Sequence, residues 1–168
     1  MDMTQAQHIV PEQAIVSGSA IQGSVIEIEQ VAAFTYNAHD RLRDEFFTIR
    51  GCAPNFAVYE AHEYETALAE GTDIIEVAGC AKLPSLADIE RVLSASSWAD
   101  TVVAGKVSTA DVPEAFRTEV LARIRAYLAW RNDQVADTSS AEPARLERWN
   151  TVTETVRRVI RDMEALAA

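Results

Sequence analysis

The sequence predicts a mainly α-helical bundle closed by a C-terminal antiparallel helix hairpin over about 111–166. At most one or two short strands and an extended N-terminal arm complete that expectation. Three observations predict it. Trp149, Val152, Val156, Val159, Met163 and Leu166 recur at spacings of 3, 4, 3, 4 and 3, an apolar seam sustained over about five helical turns. Phe116, Val120, Ile124 and Tyr127 form a second stripe, widened by Leu121 and Leu128. Helix-start signals recur at Ser24, Ser85 and Asp111. A seam this regular needs a facing surface. The preceding helix supplies one within the chain; a second subunit is the alternative.

The elements follow in order. Residues 1–23 show no helical period, and Pro11, Gly18 and Gly23 mark them as an extended or disordered arm. Residues 24–168 are expected to form a single helical domain. Ser24 with Glu27 three residues on has capping-box spacing, and Ile28, Val31, Tyr36, Leu42 and Phe46 follow at helix-like intervals. Gly51 and Pro54 would end that helix. Residues 55–70 carry two signals. Phe56, Val58 and Glu60 alternate like a strand, while Ala57, Ala61, Tyr64 and Leu68 follow a helical period ending at Gly71. The helix formers in 65–70 tip the reading to helix. Residues 73–78 read as a short strand between Gly71 and Gly79. Ser85, with Asp88 at the third position, opens a helix along Leu86, Ile89 and Leu93. Residues 98–110 fit either strand or packed loop. The hairpin begins near Asp111, with Pro113 in the first turn, and runs to about Asp133. A polar link over 134–142 then leads to a final helix opened by Pro143.

Composition narrows function. The 168 residues are 48% hydrophobic, enough for one domain to bury a core without metal or disulfides. Apolar runs are only a few residues long, and Met1-Asp2-Met3-Thr4-Gln5 lacks the basic and then apolar character of a secretory leader, so a cytoplasmic location is expected. Cys52 and Cys80 read as a reduced pair of small core residues, with a disulfide between them left open. The net charge of −11 is uneven. Residues 1–80 hold three arginines against 13 acids, a net of −10, whereas residues 81–168 come to −1. Such a field disfavours nucleic acid and suits solubility or a basic protein partner.

The motifs that carry chemistry are missing. Gly18 and Gly23 have phosphate-loop spacing, yet Ser24-Val25 stand where Lys and Ser/Thr are required. There is no G-x-G-x-x-G, C-x-x-C, H-E-x-x-H or G-x-S-x-G. His39 and His62 lie among Asp40, Asp44, Glu45, Glu60, Glu63 and Glu65, a set that could hold iron or zinc between helices. The order His62-x-x-Glu65 reverses the di-iron bundle motif, so a solvated acidic face is the plainer reading. No catalytic residue, cofactor or metal is therefore assigned.

Candidate protein contacts are Trp130, which lies off its helix stripe, with Arg131 beside it; the acidic Glu63 and Glu65; and Arg157, Arg158 and Arg161 on the last helix. Those arginines also have acidic neighbours with which to form a charge-laced face.

Residues 83–168 resemble tailed-phage head-completion and head–tail adaptor (connector) proteins. The likeness rests on Leu83-Pro84-Ser85-Leu86-Ala87-Asp88 opening a helix, on Leu128-Ala129-Trp130-Arg131-Asn132-Asp133-Gln134 ending another, and on a polar connector leading to a helix with Arg161-Asp162 near its end. The family's Glu-Arg-Tyr pattern on the second helix is absent. The resemblance implies a non-enzymatic virion part, a homo-oligomer or ring between portal and tail that works through helix packing and mobile arms. The alternative from the residues alone is a small acidic cytoplasmic binding module of immunity, inhibitor or chaperone type. A third, an enzyme or metal protein, would use His39, His62 and nearby carboxylates.

Overall fold

The computed structural model describes residues 21–134 and 142–168. The arm expected at 1–23 lies outside them except for its last three residues.

The first half is a sheet. Strands β1 (Ile26–Ala32), β2 (Thr35–Asp40), β3 (Glu45–Cys52) and β4 (Asn55–Glu60) pair in chain order as an antiparallel meander. Ile28 faces Ala38, Ala38 faces Phe47, and Ile49 faces Val58. Because side chains alternate across a strand, Ile26, Ile28, Ala38, Phe47, Ile49, Phe56 and Val58 bury one face. Glu27, His39 and Phe46, also in register, lie on the other.

This corrects the expected fold class: the molecule pairs its helices with a four-stranded sheet, not one or two short strands. The helix expected from Ser24 is replaced by three strands. Ile26 and Ile28 alternate with Glu27 and Glu29, a period of two that the spacing of Ile28 and Val31 masked. The Ser24 hydroxyl lies 3.1 Å from that of Ser94 and accepts a bond from the Ile26 N–H, so it ties two layers together instead of capping a helix. Phe34 and Asp44 adopt positive φ at the first two turns. Gly51, expected as a helix stop, permits the third hairpin: at its φ of 116° a Cβ would stand 2.4 Å from the Asn55 carbonyl oxygen.

Residues 55–70 obey both of their signals in turn. β4 ends at Glu60, whose carboxylate accepts from the His62 and Glu63 N–H groups and so caps α1 (Ala61–Glu70). Gly71 ends α1 in the left-handed conformation, donating to the Ala67 carbonyl. The strand expected at 73–78 does not form. Only Val77 reaches the sheet there, donating to the Val58 carbonyl at 2.7 Å.

The helical half matches its periodicity closely. Ser85 caps α2 (Leu86–Val103) by accepting from the Asp88 N–H at 3.1 Å. The undecided 98–110 stretch completes α2 and then forms a single 3₁₀ turn, Thr109–Asp111. Asp111 belongs to that turn's capping box with Ser108, and α3 begins later, at Glu114, running to Gln134. α4 spans Pro143–Ala167. Arg125 pairs with Glu164 while Arg131 bonds Thr153, which fixes the two helices antiparallel. Along the α4 seam, Val156, Val159 and Met163 are buried and Trp149 is half-buried. Val152 is 40% exposed and Leu166 is exposed as well, while Thr153 and Ile160 take inward positions.

Two cores result, and α2 lies between them. Its Ile89 and Leu93 pack with Cys80 against the sheet. Its Ala95, Ala99 and Val102 pack against Phe116, Val120 and Ile124 of α3 and Val156, Val159 and Met163 of α4. Full burial of each Val, Leu, Ile, Phe or Met side chain among them contributes about 1.5 to 3 kcal/mol.

Candidate functional site

The end of α3 gathers three aromatic rings, two of which face one cation. A helix places positions 127, 130 and 131 on one side, and residues 149 and 153 of α4 stand opposite because the hairpin is antiparallel. The Tyr127 and Trp130 rings stack at 5.9 Å between centroids, and the Trp130 and Trp149 rings lie 6.3 Å apart. Arg131 sits against the Tyr127 and Trp149 rings, only 5% exposed. Its Cζ is 3.9 Å from the Trp149 ring centroid and 5.5 Å from that of Tyr127. Its Nε donates to Thr153 Oγ1 at 3.2 Å, Nη1 to Tyr127 Oη at 2.9 Å and Nη2 to the Trp149 carbonyl at 2.9 Å.

Every acceptor in that set is neutral. Among the described residues no carboxylate pairs with Arg131, and the buried Trp149 Nε1 has no acceptor. Desolvated cation–π contacts of about 2 kcal/mol offset part of the cost of burying the charge. Trp130, stacked on Tyr127, remains 52% exposed. The first turns of α4 lie alongside, with Leu146 exposed. Tyr, Trp and Arg grouped on a partly wet surface are the residue types that dominate protein-contact energetics.

Of the sequence-stated contacts, Trp130 is therefore at the surface and Arg131 is not. Arg131 is the buried support of the patch rather than a free contact. Tyr127 and Trp149, which their apolar stripes assign to the core, complete the patch. Glu63 and Glu65 are exposed on α1; Leu68 of the same helix and Ile75 of the following loop stand 61% and 81% exposed among Glu70, Asp73 and Glu76. The adjacent Tyr59 ring lies 5.3 Å from Tyr64, and its hydroxyl pKa is pushed up by burial first and by the Glu76 carboxylate second. Arg157 bonds Glu154, and Arg158 and Arg161 border a shallow groove with Leu146 and Asn150.

The remaining polar groups hold structure. Asp40 is fully buried. It accepts from the Leu42 and Arg43 N–H groups, from Arg43 Nε at 2.7 Å and from Ser97 Oγ at 2.8 Å. Arg43 continues to Asp100 of α2 at 2.6 Å. This chain of bonds ties the β2–β3 turn to α2. His39 Nε2 lies 2.9 Å from Asp44, its ring stacked on Phe46 at 4.4 Å, on the outer sheet face. His62 lies apart, on α1 beside Thr66 and Asp73. Among the described residues no three His, Cys, Asp or Glu side chains converge as metal ligands. Cys52 is exposed rather than core, and Cys80 is buried. Both are free, and burial pushes the Cys80 thiol pKa up against the opposing pull of Arg123.

Among the described residues no helix is long and apolar enough to cross a membrane. No family model, curated protein or solved structure matches the chain.

Proposed function

We propose that this protein is a non-enzymatic assembly subunit, held by neighbouring proteins rather than acting on a substrate. The phage head–tail connector to which residues 83–168 are similar is the specific form of that reading. The observation that carries it is the half-exposed Trp130 mounted on Tyr127, Trp149 and the buried Arg131. A rigid aromatic anchor loses little conformational freedom on docking, which favours tight contact. The expected partners are other copies of this chain and adjoining ring proteins, in the cytoplasm of an infected cell or in the virion.

Light scattering and electron microscopy of the purified chain, alone and with candidate portal and tail proteins, test the reading. Wild type should enter a defined oligomer or particle, and Trp130→Ala should weaken that entry. A stable monomer that joins no assembly under any of these conditions overturns it.

A second reading draws on Leu68 and Ile75, exposed within the acidic surface of α1 and the following loop. An apolar contact ringed by carboxylates suits a basic protein surface, as in a small acidic binding module. Co-purification at low and high salt separates the two readings. One salt-sensitive basic partner, lost on Leu68→Ser, belongs to the second.

A further inference from the structure

A cleft of about 650 Å³ opens where α2, α3 and α4 meet. That volume falls within the roughly 300 to 1,000 Å³ of small-molecule sites. The space exists because α2 turns Ser96, Ala99, Asp100 and Val103 toward it, one helix face of short side chains. Ile124 and Tyr127 of α3 and Val152 of α4 form the opposite walls. The exposure of Val152, an exception within the α4 seam, is exposure to this hollow.

The charges around the cleft are unequal. Asp100 is held by Arg43, which also pairs with Asp40 and Glu45. One turn before Arg123 on α3, Glu119 is engaged by Arg91 of α2 at 3.0 Å. Arg123 is half-buried on the cleft wall and has no hydrogen-bond or ion-pair partner among the described residues. Among the described residues lining the cleft, Arg123 is the sole cation. Its planar fork fits a carboxylate through two parallel N–H bonds.

We propose that this cleft binds a small amphipathic carboxylate. The apolar body lies against Ala99, Val103, Ile124 and Val152, and the carboxylate accepts from Arg123 of α3, with the Ser96 hydroxyl of α2 as a further donor lining the cleft. This site goes beyond the assembly reading and stands or falls separately from it.

Calorimetric titration with octanoate, and with octanol as its uncharged counterpart, tests the assignment on the full chain. Octanoate should bind saturably, one per chain, and more tightly than octanol. Arg123→Gln should weaken octanoate about tenfold or more, through the loss of the charge-assisted fork, and leave octanol unchanged. Ala126→Leu, an exposed helical position on the cleft border, should weaken both ligands by filling the space and serves if the arginine variant does not fold. Equal octanoate affinity in wild type and Arg123→Gln, octanol binding as tight as octanoate, or no saturable binding of either would each overturn the proposal.

Discussion

Asp40 and Arg131 are both buried charges, and the molecule treats them in opposite ways. Asp40, at the sheet–α2 junction, has a cationic partner and four hydrogen-bond donors. Arg131, at the hairpin end, has ring faces and neutral oxygens. The first arrangement is closed: the donors around the carboxylate come from its own turn and from α2, and its work is to fix one layer on another. The second leaves a positive field and an unmet indole N–H beneath an exposed tryptophan. The sheet–α2 junction saturates its charge, and the hairpin end leaves its charge without a carboxylate among the described residues.

Substitutions can break or sharpen that contrast. Asp40→Ala should cost the most, about 3 to 5 kcal/mol in urea unfolding, because it strands Ser97, two turn N–H groups and part of Arg43 away from water. Arg131→Met should cost less, about 2 to 3 kcal/mol, since it removes three bonds but also relieves an uncompensated buried charge. If the two losses were equal, or their order reversed, the contrast would fail. Arg131→Lys should recover only part of the loss, because an ammonium cannot reproduce the fork lying over Trp149.

Trp130→Ala should be milder for folding, under about 1.5 kcal/mol, the scale of its aromatic pairings. Its effect on entry into an assembly should be larger than its effect on the unfolding midpoint. The reverse would make Trp130 a packing residue.

The smallest effect concerns the cysteines. The folded-state pKa of Cys80 is raised, so its contribution to stability is intact below the ordinary thiol range and is lost as pH rises through the raised value. Cys80→Ala should flatten that alkaline decline. Iodoacetamide should label Cys52 promptly and Cys80 only as fast as the chain opens, read by mass spectrometry.

The helical half was legible in the sequence because its apolar period recurs from Phe116 to Leu128 in α3 and from Trp149 to Leu166 in α4, long enough to exclude a strand. The sheet was not, since each strand offers only six to eight residues of alternation. Its first two turns, moreover, carry no glycine or proline. Phe34 and Asp44 take the positive φ there, so the punctuation that marks a hairpin is absent. Glu60 conceals another boundary, ending a strand and capping a helix with one side chain.

The candidate site was half legible. Trp130 stood out because it lies off its stripe. Arg131 looked like a surface cation, and only the pairing of α3 with α4 shows that Trp149 and Thr153 cover it. The spacing Tyr127, Trp130, Arg131 against Trp149, Thr153 is the signal that an antiparallel reading of the hairpin could have used.

The placement of α2 also orders events during synthesis. The meander closes from neighbouring residues and needs nothing distant to pair its strands. Its apolar face, however, is covered only in part by Val77, Cys80 and Leu83, and is not closed until Ile89 and Leu93 arrive, well after Val58 has been made. A nascent chain paused in that interval displays a greasy, unfinished sheet to the ribosome's surroundings, the stage at which a chaperone would find it and at which slow translation would be most hazardous.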